Sequence, residues 1–235
     1  MSFGFLLLTF SVVSASSLIT INKEGEVILN VLASQDTLAL KTPKRDSLAI
    51  VDVAGESPTD ARISLAREGA KINLSIASSE GEKNFDVTGM TSEIIEVEER
   101  PQTQRIKISL EEGNFIITQE GVSAQTTFPI IVDPETAELS VTTDTGVKYV
   151  SVLPSSAVQS VLRAKIINNF PKGSRIILEE SEGVLAYRIN GEKILNLFNM
   201  MDYPIAVESL VSASTGEIIK TNEPAWLQII GFMFS

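Results

Sequence analysis

Apolar residues recur at every second position along most of this chain, and that period restricts its fold more than any other feature. Ile72, Leu74 and Ile76 alternate with Lys71, Asn73 and Ser75; Phe85 and Val87 alternate with Asn84, Asp86 and Thr88. Ile106, Ile108 and Leu110 alternate with Arg105, Lys107 and Ser109, and Leu139 and Val141 with Glu138, Ser140 and Thr142. Successive side chains of a strand point to opposite faces, so each stretch describes a strand with one dry and one wet side. Further strands are expected at 18–22, 26–33, 37–41, 48–53, 62–66, 93–98, 114–119, 122–128 and 147–153. Their spacing is that of a sandwich or a barrel.

The turns agree with this reading. Glu-Gly recurs at 24–25, 68–69, 80–81, 112–113, 120–121 and 182–183. Glycine supplies the positive φ that tight hairpins demand. None of these acidic turns has the Asp-x-Asp-x-Asp-Gly spacing of a calcium loop, so they read as plain turns. The recurrence has no fixed period and describes no repeat.

The first helix is expected after Pro154. Val158, Val161, Leu162, Ile166, Ile167 and Phe170 form one apolar stripe, capped by Ser155 or Ser156 and stopped by Asn168-Asn169 and Pro171-Lys172-Gly173. The apolar run 194–201 reads as a second turn of helix, with strands near 175–180, 184–190, 205–211 and 216–220. Residues 224–234 are apolar nearly all round and open with Pro224, a pattern of core, interface or membrane-surface packing. The expected fold is therefore mainly β with an α+β C-terminal part. An antiparallel β-sandwich or barrel-like region covers 16–153, with room for two small sheets divided around Arg100-Pro101-Gln102-Thr103. A helix packed on an antiparallel sheet covers 154–235.

Residues 1–22 hold no charged side chain. The apolar stretch over 3–13, followed by Val13-Ser14-Ala15 before Ser16, has the form of a secretory signal peptide over 1–15, although no Lys or Arg precedes it. An N-terminal anchor and a buried strand are the other readings of the same run. The signal-peptide reading places the chain outside the cytoplasm, secreted or in the cell envelope.

Composition closes several chemistries. With no Cys and no His there are no thiolate nucleophiles, disulfides, His-based triads, imidazole zinc sites or His pH switches. A net charge of −11 argues against nucleic acid, whose phosphates require clustered Lys and Arg. No Gly-x-Gly, Walker loop or Ser-x-x-Lys occurs. The densest acidic run, Glu93, Glu96, Glu98 and Glu99, places Glu96 and Glu98 on one strand face and reads as a solvated face or protected edge; a hard-cation site is the sharper alternative. Asn73-Leu74-Ser75 matches a glycosylation sequon within a strand. No residue is singled out as catalytic, cofactor-binding or metal-binding, and no cofactor is expected.

The C-terminal part resembles a PepSY-like domain. The resemblance rests on the helix at 155–170, on Val184-Leu185-Ala186-Tyr187-Arg188-Ile189-Asn190-Gly191, and on the stretch Val207 to Ile219 with its Thr215-Gly216-Glu217 hairpin. Ser212 stands where the family usually has an acid. The stretch 139–157 is also similar to segments of uncharacterised bacterial envelope proteins. The resemblance implies a helix on antiparallel strands, an extracytoplasmic setting and an inhibitory role toward peptidases, with no catalytic residues to carry over. Together these readings favour an exported, non-enzymatic structural or interaction protein whose partner is a protein or cell-surface component. A peptidase-binding regulator and a carboxylate-dependent hydrolase are the alternatives. Membrane contact is expected only through an uncleaved N-terminus or residues 224–234.

Overall fold

The computed structural model describes residues 17–29, 61–79, 81–98, 105–197, 201–224 and 226. The expected signal segment 1–15, the strands at 37–41 and 48–53, and nearly all of 224–234 lie outside the described residues. Within them the chain is mainly β, with sixteen strands and one helix. The strands are β1 (Ile19–Ile21), β2 (Val27–Leu29), β3 (Arg62–Glu68), β4 (Lys71–Ser78), β5 (Gly81–Asp86), β6 (Glu93–Val97), β7 (Ile106–Glu111) and β8 (Asn114–Gln119). They continue as β9 (Val122–Thr126), β10 (Ile130–Val132), β11 (Leu139–Thr143) and β12 (Gly146–Tyr149). After the helix α1 (Pro154–Arg163) come β13 (Arg175–Ser181), β14 (Val184–Leu197), β15 (Met201–Ser212) and β16 (Ile218–Asn222).

Two sheets result, neither closed into a barrel, in a sandwich-like arrangement. One has ten strands in the order β16-β15-β14-β13-β9-β8-β7-β6-β1-β2; the other has six, β12-β11-β10-β3-β4-β5. Their dry faces share one hydrophobic cluster. Ile63, Leu74, Ile130 and Val141 enter it from the smaller sheet, and Ile108, Phe115, Ile117, Leu178 and Tyr187 from the larger. Helix α1 adds Ala157, Val158 and Val161. The alternation read from the sequence is what builds both faces.

The Glu-Gly pairs explain much of the meander. Glu112-Gly113, Glu120-Gly121 and Glu182-Gly183 each join two strands whose flanking residues pair directly: Glu111 with Asn114, Gln119 with Val122, and Ser181 with Val184. Both residues of each pair have positive φ, 49° and 76°, 49° and 78°, 53° and 79°. That is the two-residue turn whose twist matches the strands it connects.

The larger sheet runs across residue 154. Strand β13 pairs in parallel with β9, Ile176 opposite Ala124, so strands from both sides of Pro154 share one ladder. The division expected around 100–103 does not separate the sheets either. The β6–β9 run belongs to the larger sheet, and β10–β12 returns to the smaller one beside β3.

Three local expectations change. Helix α1 ends at Arg163, seven residues before Phe170, because Lys165 adopts φ 57° and turns the chain. Ile167 is still fully buried, but from a loop. No serine caps the helix: the N-cap is Leu153, and the Ser155 amide donates to the Oε1 of buried Gln119 at 3.0 Å. A strand side chain thus satisfies an orphan donor of the helix. Of the run 194–201, the described residues 194–197 and 201 are strand rather than helix. They end β14 and start β15, in a register that holds from Ala186 opposite Ser212 to Leu197 opposite Met201.

Candidate functional site

The β14–β15 hairpin outgrows its neighbours. On one side β13 pairs with it only as far as Ile177 opposite Arg188; on the other, β16 reaches only Asn222 opposite Glu208. The rest is a two-stranded arm. Its root is anchored in the core. Tyr187 is fully buried and its hydroxyl donates to the Val152 carbonyl at 2.9 Å, and burial pushes the phenol pKa up. The Ala213 amide bonds the Leu185 carbonyl, and the Val152 amide bonds the Ala213 carbonyl.

Both edges of the arm are blunted. Glu192 exchanges backbone hydrogen bonds with Asn169, so even-numbered residues of β14 turn their backbone groups away from β15. The next such amide, Ile194, donates to Asn168 Oδ1 at 2.9 Å. In the antiparallel register the residues opposite these face outward as well, and Pro204 lies opposite Ile194. The amide hydrogen that Pro204 lacks would have stood on the free edge of β15, a position where a sheet tolerates proline.

The inner face, by contrast, is largely apolar, and Lys193 within it is paired with Glu223. Odd-numbered residues share the inner face with Tyr187 and Val211. Val207 and Ile205 are buried there, and Gly191 admits Ile167: a Cβ at Gly191 would sit 2.6 Å from Ile167 Cδ1. Toward the tip Tyr203 is 54% exposed and Met201 64% exposed. Trp226 meets Tyr203 edge-on, ring centroids 6.1 Å apart at 72°. Ile194 is 46% exposed on the opposite face. Aromatic and thioether side chains on a protruding element are the typical content of protein contact surfaces.

A second surface lies at the far end of the smaller sheet. Glu68, Asn73, Ser75, Glu82, Asn84, Phe85 and Asp86 line a shallow groove of about 320 Å³ over β3, β4 and β5. Its groups satisfy one another. Asn73 Nδ2 donates to Glu68 Oε2 at 2.9 Å, Ser75 donates to Asn84, and the Thr88 hydroxyl donates to Asp86. The sequon asparagine therefore sits in a strand, as expected, with its amide engaged.

Two members of the acidic run, Glu93 and Glu96, form ion pairs toward the neighbouring strand. Lys107 Nζ lies 2.8 Å from Glu93 Oε1, Arg105 lies 3.6 Å from Glu96, and the Ser17 hydroxyl donates to Glu96 at 3.0 Å. The pairing register shifts between Glu93 and Ile95, so Ile94 and Ile95 are both buried. This bulge is why strict alternation did not describe the strand. Glu99 lies outside the described residues. Among the described residues no group of three or more Asp and Glu is placed to hold a metal ion.

The outer face of the larger sheet continues this pattern. Arg188 on β14 donates to Glu179 of β13 at 2.5 Å and lies 3.8 Å from Glu208 of β15. The Glu179 hydrogen bond raises the guanidinium pKa further. These bridges tie neighbouring strands and are partly exposed, so each adds little to stability.

No family model, curated protein or solved structure matches this chain. The geometry alone therefore ranks its surfaces, and the arm is the one whose chemistry is left over from folding. Sequence reasoning missed it by reading 194–201 as helix. The usable signal was Met201, Tyr203, Ile205 and Val207, which alternate at period two on either side of Pro204.

Proposed function

We propose that this chain is an exported, non-enzymatic interaction module of the cell envelope that contacts a protein partner through the β14–β15 arm. One observation carries the reading: apolar and aromatic side chains stay exposed toward the tip of a hairpin whose two edges are blunted. Blunted edges disfavour strand addition and favour face-to-face packing as the mode of contact. The export signal read over 1–15 supports the extracytoplasmic setting. The acidic coat, −11 overall, supports a partner that is not nucleic acid.

Helix α1 followed by antiparallel β13–β16 supports the PepSY-like reading of 154–235, and with it a peptidase as one kind of partner. The test is capture from a solubilised envelope fraction with the full chain and two variants. A partner retained by the wild type and by Val147→Ser, a change on the distant exposed strand β12, should be lost from Met201→Ser/Tyr203→Ser. Equal retention by all three would refute the arm as the contact. Reproducible turnover of a polymer by the purified chain would refute the non-enzymatic reading.

A further inference from the structure

The charges of this chain are unevenly spread, and the exception borders the arm. From Thr145 to Leu178 there is no Asp or Glu, although the whole chain carries −11; the cations of that stretch are Lys148, Arg163, Lys165, Lys172 and Arg175. Lys148 and Arg175 are paired, with Glu180 and Glu111. Arg163, Lys165 and Lys172 are exposed, and none of them has an ion pair among the described residues. They lie at the end of α1 and on the connection to β13, which lines the inner side of the arm. Ile167 of that connection fills the notch at Gly191, and Asn169 and Asn168 bond β14 at Glu192 and Ile194. The arm repeats the asymmetry. Its acids Glu192, Asp202 and Glu208 are even-numbered and belong to the outer face. Its inner face carries no acid, Lys193 there meets Glu223 at 2.6 Å, and Met201 and Tyr203 stay exposed. We infer that the partner of the arm presents an apolar patch bordered by Asp and Glu, and that Arg163, Lys165 and Lys172 supply the matching cations. The inference rests on the arm being the contact surface.

Charge complementarity favours this partner over the alternatives. An exposed charge acts over about 8 Å at physiological salt. A protein seated on the inner face therefore answers to the charges that border that face and not to the total of the chain. Acids set opposite unpaired cations speed the encounter and exclude wrong partners, while the apolar contact supplies most of the affinity. A second copy seated face to face would set cations against cations. A basic partner would find no acid on this face other than Glu223, which Lys193 already neutralises. A polyanion as extended as nucleic acid would meet the repulsion of the whole acidic chain with three cations to offset it.

The probe is a displayed library of random peptides, selected on the immobilised full chain. The wild type should enrich peptides that join aromatic or aliphatic residues to Asp and Glu. Arg163→Gln/Lys165→Gln/Lys172→Gln should lose the acidic bias and keep the apolar one. Arg62→Gln/Lys83→Gln/Lys220→Gln removes the same charge from exposed positions away from the arm's inner face and should keep both. The best enriched peptide, made synthetically, should bind the wild type several-fold more weakly at high salt than at low salt, and the first triple variant with little change. All six positions are exposed, and coincident thermal melts would show that the variants remain folded. Apolar peptides without an acidic bias, or a bias retained by the first triple variant, would overturn the acidic partner and leave the arm standing as the contact. Equal enrichment by Met201→Ser/Tyr203→Ser would overturn the arm itself and this inference with it, as would no enrichment by the wild type.

Discussion

The β4–β5 and β14–β15 hairpins both end a sheet region, yet they dispose of apolar surface and backbone in opposite ways. Strand β5 is an edge of the six-stranded sheet, and its side chains are almost all exposed and polar. Glu82, Lys83, Asn84 and Asp86 protect its open backbone by charge and hydration. The β14–β15 arm blunts its edges, by Pro204 on one and Asn168 on the other, and carries exposed apolar side chains on its inner face. Where the edge is open the outermost strand is wet, and where apolar side chains stay exposed each edge is blunted. A hairpin with an open edge and apolar faces would pair with copies of itself; each of these two avoids half of that hazard.

The largest effect is expected at the arm's root. Tyr187→Ala removes a fully buried ring and its bond to Val152, and should cost about 3–5 kcal/mol in a denaturant titration. Tyr187→Phe keeps the ring and should cost only about 1 kcal/mol. A small loss in the alanine variant would mean that the arm is not anchored through its root.

Glycine substitutions sharpen the contrast at the next level. Gly191→Val would drive a side chain into Ile167, with the Asn169 carbonyl only 3.1 Å from its Cβ, and should cost about 1–3 kcal/mol. Gly89, just beyond β5, has open space around it and no positive φ, so Gly89→Ala should change stability by no more than about 0.5 kcal/mol. Similar costs at the two positions would remove the claim that the arm is closely packed and the β5 region is not.

How far the sequence reveals this contrast depends on how local each cause is. Alternation exposed β4, β5, β7 and β11 because apolar and polar residues take turns along them. The Glu-Gly turns were legible because positive φ is a property of the dipeptide itself. The ends of α1 were not, since its cap comes from Gln119, thirty-six residues from Ser155. The arm was hidden because 194–201 is a short, mostly apolar run, and such a run does not separate strand from helix. The pairing of Glu93 and Glu96 was hidden because their partners Lys107 and Arg105 lie on and just before the next strand. Sheet membership was the least legible feature. That β13 joins β9 in parallel follows from where α1 packs, and no local pattern reports it.

Opening the edges should show in association rather than in folding. Glu82→Val/Asn84→Val strips the charge and hydration from the β5 edge, and sedimentation should reveal concentration-dependent oligomers. Pro204→Thr restores a donor to the arm's edge and should do the same more weakly, because only one amide is gained. Monomeric behaviour of both variants would mean that edge protection does not govern the solubility of this chain.

The smallest effect is a response to acid confined to the β5 side and the nearby sheet junction. The Thr88 hydroxyl and amide hold the Asp86 carboxyl below its ordinary pKa, aided by Lys71 at 4.0 Å. The Thr145 hydroxyl does the same for Glu180, tying the β11–β12 turn to β13. A carboxyl whose folded pKa is lowered stabilises the fold above its unfolded value, and that stabilisation disappears as pH falls through the lowered one. The loss therefore belongs below about pH 4, the ordinary carboxylate range. The resolved shifts on β14, at Tyr187 and Arg188, are both upward, so neither group changes charge in this window. Amide exchange compared at pH 6 and pH 3, after correction for intrinsic rates, should show protection lost around β5 and the β11–β12 turn while β14 and β15 keep theirs. Asp86→Asn should abolish the first change and leave the arm unaltered. Equal loosening of both hairpins would place the acid-sensitive bonds in the shared core and end the distinction between them.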